Sequence, residues 1–136
     1  MPDCIFCMIK DHQIPSTIIY EDDVCIAFLD LSQVTRGHTL VISKTHYDSF
    51  LEADDQDLQH IITITKKLAN QIKENLNANG INILTNAKEA AGQTVHHLHF
   101  HIIPRYDETD GFEPTFTNNQ GKWDLEDIKQ EIIKKY

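Results

Sequence analysis

The sequence predicts an α+β domain built on an antiparallel five-stranded sheet with one long helix, and three observations carry that reading. Short β-branched runs follow one another through turn residues before position 44, a single stretch at 54–77 switches to a three-to-four-residue apolar period, and two more β-rich runs come after it. Strands joined mostly by tight turns, with the helix inserted between the third and fourth, favour antiparallel pairing over the strand–helix alternation of a parallel sheet. At 136 residues the chain is one domain's length, 1–136, with 105–136 forming a C-terminal loop and helix.

Taken in order, 4–11 forms a short helix, followed by a turn at Ile14-Pro15-Ser16. Strands at 17–20 and 24–29 flank the hairpin turn Glu21-Asp22-Asp23, and 38–43 supplies a third, central strand. In the long helix Leu58, Ile61, Ile62, Thr65, Leu68, Ala69, Ile72 and Leu76 make one apolar face; Asp54, Asp55 and Asp57 crowd its positive pole and Gly80 stands as its stop residue. A strand at 81–85, a small-residue loop at 86–94 and a strand at 95–103 closed by Pro104 follow. Residues 105–122 show no period and read as a functional or mobile loop, and 123–136 reads as a helix with Leu125, Ile128 and Ile132 on one side.

Composition sets the exclusions. With 40% hydrophobic and 24% charged residues, the chain can build a packed core. Its 12 Lys and Arg stand against 21 Asp and Glu, a formal net charge of −9, so it has no general footprint for nucleic acid and must grip any phosphate locally. No apolar run approaches the roughly 18–20 residues of a membrane helix, and the opening Met-Pro-Asp-Cys lacks the features of a signal peptide. The expectation is a cytoplasmic protein with reduced thiols and neither membrane nor nucleic-acid partners.

Four of the 8 histidines fall in His96-His97-Leu98-His99-Phe100-His101. On a strand, residues two apart share a face, so His97, His99 and His101 line one side while Leu98, Phe100 and Ile102 enter the core on the other. Neighbours in that row stand about 6.6 Å apart, which lets two imidazoles converge on one ion but hardly three, and implies a division of labour. Neutral imidazole can attack a phosphoryl centre and leave a phosphoramidate reactive enough to turn over. Just upstream, the backbone around Gly92 and the side chains of Asn86, Gln93 and Thr94 are suited to hold charge on phosphate oxygens. The plainer alternative is a His-rich strand face or an adventitious metal site. Cys4 and Cys7 form a C-x-x-C that suggests metal or redox chemistry, whereas Cys25, inside the apolar run 24–29, reads as a buried inert thiol.

The run His97-Leu98-His99-Phe100-His101-Ile102-Ile103 resembles the histidine-triad signature His-φ-His-φ-His-φ-φ, where φ is apolar. The resemblance takes in Phe28-Leu29-Asp30-Leu31, Gly37-His38-Thr39-Leu40-Val41-Ile42, His46, Asn86 and Gly92-Gln93-Thr94-Val95, and covers roughly residues 4–105 in family order. It implies a small homodimer that binds purine nucleotides and acts at the α-phosphate through a covalent nucleotidyl-histidine, as a phosphoramidase or a dinucleoside polyphosphate hydrolase. A nucleotide-binding interaction module with little activity is the alternative. Position by position, it implies His99 as the nucleophile with its other ring nitrogen fixed by a backbone carbonyl, and His101 at the phosphate and leaving group. It further implies Asn86, Gly92, Gln93 and Thr94 around the phosphate, Asp30 on the ribose hydroxyls, and Ile5, Phe6, Ile9, Phe28 and Leu31 as the apolar base pocket.

A closed zinc site takes four nitrogen or sulfur ligands, so Cys4 and Cys7 supply half of one. Resemblance to zinc-binding members of the superfamily points to His46 and His97 as the rest, with a structural zinc clipping the N-terminal segment to the catalytic strand. Two alternatives are a thioredoxin-like pair, which lacks its βαβ context here, and two unligated thiols. In cysteine-free relatives the residue matching His46 supports the active-site hydrogen bonds instead. His12, His38, His60 and His96 are expected outside the chemistry, and Arg105 either reaches a phosphate or is simply solvated.

Overall fold

A computed structural model describes residues 4–107 and 109–134. Strands Ile18–Glu21 (β1), Cys25–Leu29 (β2), Thr39–Ser43 (β3), Gly80–Leu84 (β4) and His99–Arg105 (β5) form one antiparallel sheet in the order β1-β2-β3-β5-β4. Helices Ile5–Lys10 (α1), Asp55–Asn75 (α2) and Leu125–Ile133 (α3) complete it, so the expected α+β class and strand count hold.

Strand alternation distributes the core. Cys25, Ala27, Val41, Phe100 and Ile102 face α2, where they meet Ile61, Ile64, Leu68, Ala69 and Ile72. The alternate residues Ile26, Phe28, Leu40 and Ile42 pack on the opposite face with Phe6 and Ile9 of α1. The β3–β5 register sets Ile42 opposite His99 and Leu40 opposite His101. Directly opposed residues share a face, so both histidines project on the α1 side.

Several local features depart from the sequence reading. The left-handed stop after α2 is Asn77, at φ 57, and the next N–H, of Ala78, bonds the Lys73 carbonyl at 2.9 Å. Gly80 instead opens β4, with nothing within 4 Å of a Cβ placed there. β5 begins at His99 because 97–98 bond elsewhere: the Leu98 N–H goes to the Tyr47 carbonyl at 2.8 Å. Pro104 lies inside β5. Its carbonyl faces Thr35, whose hydroxyl donates to it at 2.6 Å, beyond the end of β3, so its missing N–H leaves no ladder bond unmade. α3 starts at Leu125 behind an Asp124 cap, and the last two residues of the helix expected at 123–136 lie outside the described residues.

Gly37 matters to the site. At φ 96, any Cβ there would come within 2.5 Å of Leu76 Cδ1, so only glycine lets the end of α2 close against the residue that precedes His38.

Candidate active site and metal centre

β5 presents His99 and His101 on one face with ring centroids 5.1 Å apart. That face is not the open surface that alternation alone suggests, because α1 crosses it. Phe6 stands edge-on to the His99 ring at 5.0 Å and leaves His99 only 5% exposed. His97, one step before the strand, turns to different partners.

The hydrogen bonds fix each ring's proton. His99 Nδ1 lies 2.7 Å from the His97 carbonyl oxygen. A carbonyl only accepts, so Nδ1 carries the proton and Nε2 keeps its lone pair. Burial lowers the His99 pKa, opposed by that same bond, and the ring is neutral at pH 7. A second chain of bonds assigns His101. The Val34 N–H donates to His38 Nδ1 at 3.3 Å, so His38 carries its proton on Nε2 and donates to His101 Nδ1 at 2.9 Å. His101 must then hold its own proton on Nε2. Burial, with the neighbouring His99 and His38, brings the His101 pKa down to about 4. Asp30 Oδ2 is 3.8 Å from His38 Nδ1, too far for a hydrogen bond but near enough to favour positive charge.

His99 and His101 open onto a cavity of about 280 Å³ whose wall includes Ile5, Phe6, Ile9, Phe28 and Leu40, with Ser16, Asp30 and Thr94 as further polar members. Ile14, Pro15 and Val95 extend the same wall. Leu31 stands only at the mouth, 96% exposed, and is not part of an enclosed base pocket in one chain. One Asp30 oxygen accepts the Ser32 N–H at 2.8 Å, which leaves the other free for a ligand.

The upstream loop divides. Thr94 lines the cavity, whereas Asn86, Gly92 and Gln93 do not. Gln93 is a brace: its amide is buried, donating to the Asp48 and Val95 carbonyls and accepting from the Lys88 N–H at 2.7 Å, so it has no hydrogen-bonding capacity left for phosphate. Gly92 takes φ 99, with the Asn86 amide 3.5 Å from its carbonyl oxygen. Arg105 is partly exposed but held by Asp110 at 2.9 Å and Asn82 at 2.9 Å, and it does not line the cavity.

His38, expected outside the chemistry, is instead only 3% exposed and bonded to His101. Alternation could have found it, since His38, Leu40 and Ile42 share the face that β5 presents opposite them. His12, His60 and His96 stay outside, each near a carboxylate: Glu21, Asp22 and Glu89 respectively.

On the other side of α1, Cys4, Cys7, His46 and His97 bring one ligand atom each to within 4.8 Å of one another. His97 Nδ1 is 3.3 Å from Cys4 Sγ and 3.5 Å from Cys7 Sγ, and His46 Nδ1 is 3.2 Å from Cys7 Sγ. A tetrahedral zinc with bonds of 2.0–2.3 Å sets neighbouring ligand atoms roughly 3.3–3.8 Å apart, so the donors fit the ion. Their outer bonds fit as well. His97 Nε2 donates to the Ser43 carbonyl at 2.7 Å and His46 Nε2 lies 3.4 Å from Asp48, leaving both Nδ1 lone pairs directed inward. Burial holds His97 down to about 4, neutral as a ligand must be. Cys25 is buried as expected, and burial pushes its thiol up to about 12.

Comparison with known proteins agrees with this geometry. The HIT domain family model matches residues 11–108. Protein hit of Bacillus subtilis is 43% identical over 98% of this chain and 94% of its own. The crystal structure of a HIT family protein from Bacillus anthracis superposes with a TM-score of 0.92 at 44% identity, covering 98% of this chain and 97% of that one. A zinc-bound histidine triad family protein from Mycobacterium smegmatis superposes with a TM-score of 0.77 at 33% identity, covering 88% and 86%.

Proposed function

This chain belongs to the HIT family, and on that premise we propose that it is a nucleotide hydrolase or transferase acting at the α-phosphate of purine nucleoside phosphoramidates or related nucleotides, through a nucleotidyl-histidine at His99. One observation carries the reading: the His97 carbonyl holds the His99 proton on Nδ1, so the nucleophilic Nε2 is free beside an apolar cavity containing a carboxylate.

The base lies against Phe6, Ile9 and Phe28, and Asp30 accepts the ribose hydroxyls with its free oxygen. His99 Nε2 attacks the α-phosphorus; the N–P bond forms as the bond to the leaving amine breaks, the amine takes its proton from solvent, and the neutral His101 keeps its Nε2 proton and donates a hydrogen bond to the phosphate. Water then attacks the phosphorus; the new O–P bond forms as the His99 Nε2–P bond breaks, the proton lost by water returns to solvent, and the monophosphate departs from a His99 that has regained its Nε2 lone pair. Thr94, on the cavity wall, is the polar side chain of the loop that can hold the developing charge.

Cys4, Cys7, His46 and His97 would hold a structural zinc. Bound there, it supplies a fixed tetrahedral crosslink and no reaction step. The same reading includes a homodimer working in the cytoplasm.

The test is a single-turnover reaction with an adenosine phosphoramidate, quenched and analysed by mass spectrometry. A nucleotidyl adduct on His99 is expected, and its absence while AMP is released would sink the mechanism. His99→Gln should lower turnover by at least about 10³-fold. Glutamine is preferable to alanine because the buried ring fills space against Phe6. Dinucleoside polyphosphates in the same panel separate the two hydrolase types.

A further inference from the structure

We propose that Cys4 and Cys7 are a site of reversible oxidation by hydroperoxides, and that closing a disulfide there releases the zinc and lowers nucleotide affinity by unpinning α1. The inference rests on the nucleotide reading above.

Its basis is that one short helix serves two sites. Cys4 caps α1 and Cys7 lies within it, while Ile5, Phe6 and Ile9 of the same helix line the cavity. Six residues form no stable helix alone, so α1 depends on what fastens it. Phe6 and Ile9 pack on the sheet. Among the described residues, apart from backbone bonds to the turn that follows it at His12 and Gln13, the hydrogen bonds from α1 and its cap to the rest of the fold run through the two sulfurs, to His46 and His97. His97 also couples the clip to the chemistry, since its carbonyl holds the His99 proton.

The pair is built for stepwise oxidation. Cys4 is partly exposed, whereas Cys7, only 5% exposed, lines the wall of a cleft of about 400 Å³ together with Lys10, Asp11, Lys44 and His46. The Cys4 thiolate attacks a peroxide oxygen; the S–O bond forms, the O–O bond breaks, and the leaving hydroxide takes a proton to become water. The Cys7 thiolate then attacks the Cys4 sulfur, forming the S–S bond and expelling hydroxide, which is protonated in turn. Two thiolates have lost two electrons and one peroxide has gained them. The sulfurs start within 4.8 Å of each other and close to about 2.05 Å. A disulfide leaves only the two imidazoles as zinc ligands, and the ion departs.

The experiment uses the full-length, reduced, zinc-loaded protein titrated with hydrogen peroxide. Released zinc is read with a chromogenic chelator, the disulfide by a mass loss of about 2 Da in the peptide carrying both cysteines, and AMP affinity by calorimetry. Zinc release in step with the disulfide is expected, with the AMP Kd rising at least about tenfold and recovering on reduction with added zinc. Cys4→His keeps four nitrogen or sulfur ligands but has no disulfide partner, so peroxide should change neither its zinc content nor its affinity. Cys25→Ser must respond as the parent does, and a lost response would move the oxidation to Cys25 and overturn the proposal. Zinc retained under peroxide, or an AMP affinity indifferent to the disulfide, overturns it too while leaving the enzyme reading in place. Failure of AMP to bind the reduced protein removes that reading itself.

Discussion

At the residue scale, reactivity follows from which ring nitrogen holds a proton, and for His101 that arrangement lasts only while the ring stays neutral. Its pKa sits at about 4 because burial and the nearby His99 and His38 disfavour a cation, with Asp30 opposing. Since the folded value lies below the ordinary 6.5, the neutral form persists as pH falls, and turnover should lose its acid limb only near pH 4 to 5. The unfolded chain binds this proton first, so stability declines as pH drops from about 6.5 toward about 4. Urea unfolding across that range should show a shallower decline for His101→Gln than for the parent; parallel curves would mean that His101 is not the group responsible. Lys88 offers a second residue-scale test. It holds φ 77 and ψ 158, a region nearly confined to glycine, pinned by the buried Gln93 amide. Lys88→Gly should therefore stabilise the fold by about 1 kcal/mol, after the entropic cost of glycine. A urea midpoint that stays put or falls would refute the strain.

At the scale of elements, Asp22 ties the first hairpin to the long helix. Oδ1 accepts the Val24 and Cys25 N–H groups at 2.8 and 2.9 Å, while Oδ2 meets the Tyr20 hydroxyl at 2.7 Å and His60 at 2.6 Å. Its pKa is lowered despite burial because those hydrogen bonds favour the anion. Asp22→Ala strands two backbone donors and should cost about 2–4 kcal/mol, against about 1 for His60→Ala, which leaves the turn intact. Equal costs in chemical denaturation would show that the hairpin does not depend on the carboxylate. This turn was legible in the sequence as a polar triplet between β-rich runs, and so were the five strands and the amphipathic period of α2. What escaped was set by tertiary contact. The imidazole face reads as exposed because alternation sorts faces without saying what covers them, and α1 covers this one. Gly80 looked like the helix stop because glycine usually is, yet Asn77 reached the left-handed region first. Gln93 was read as a phosphate ligand from its place in the loop before the histidine row and from the resemblance, whereas its amide is occupied by partners at 48, 88 and 95, positions that only the fold brings together.

At the scale of the whole molecule, too much apolar surface is left open for one chain. α3 buries none of its residues, with Leu125 at 79% and Ile132 at 64% exposure, and Trp123 just before it is 56% exposed. A nine-residue helix without packing does not persist in water. β4 is a sheet edge, and beside it Ile83 and Ile62 are 48% and 47% exposed around a shallow cavity that reaches Phe100. Unpaired edges and apolar patches of this kind are covered in stable proteins. A second copy placed edge to edge across β4 would bury both isoleucines. Sedimentation at micromolar concentration should then report twice 15.7 kDa. Paired substitution of Ile62→Glu and Ile83→Glu puts four charges into a two-fold interface and should shift the protein to monomer, with circular dichroism and zinc content unchanged, since neither side chain belongs to the core. A dimer that survives both glutamates would move the interface away from β4, and a monomeric parent would leave α3 without the partner its exposed face requires.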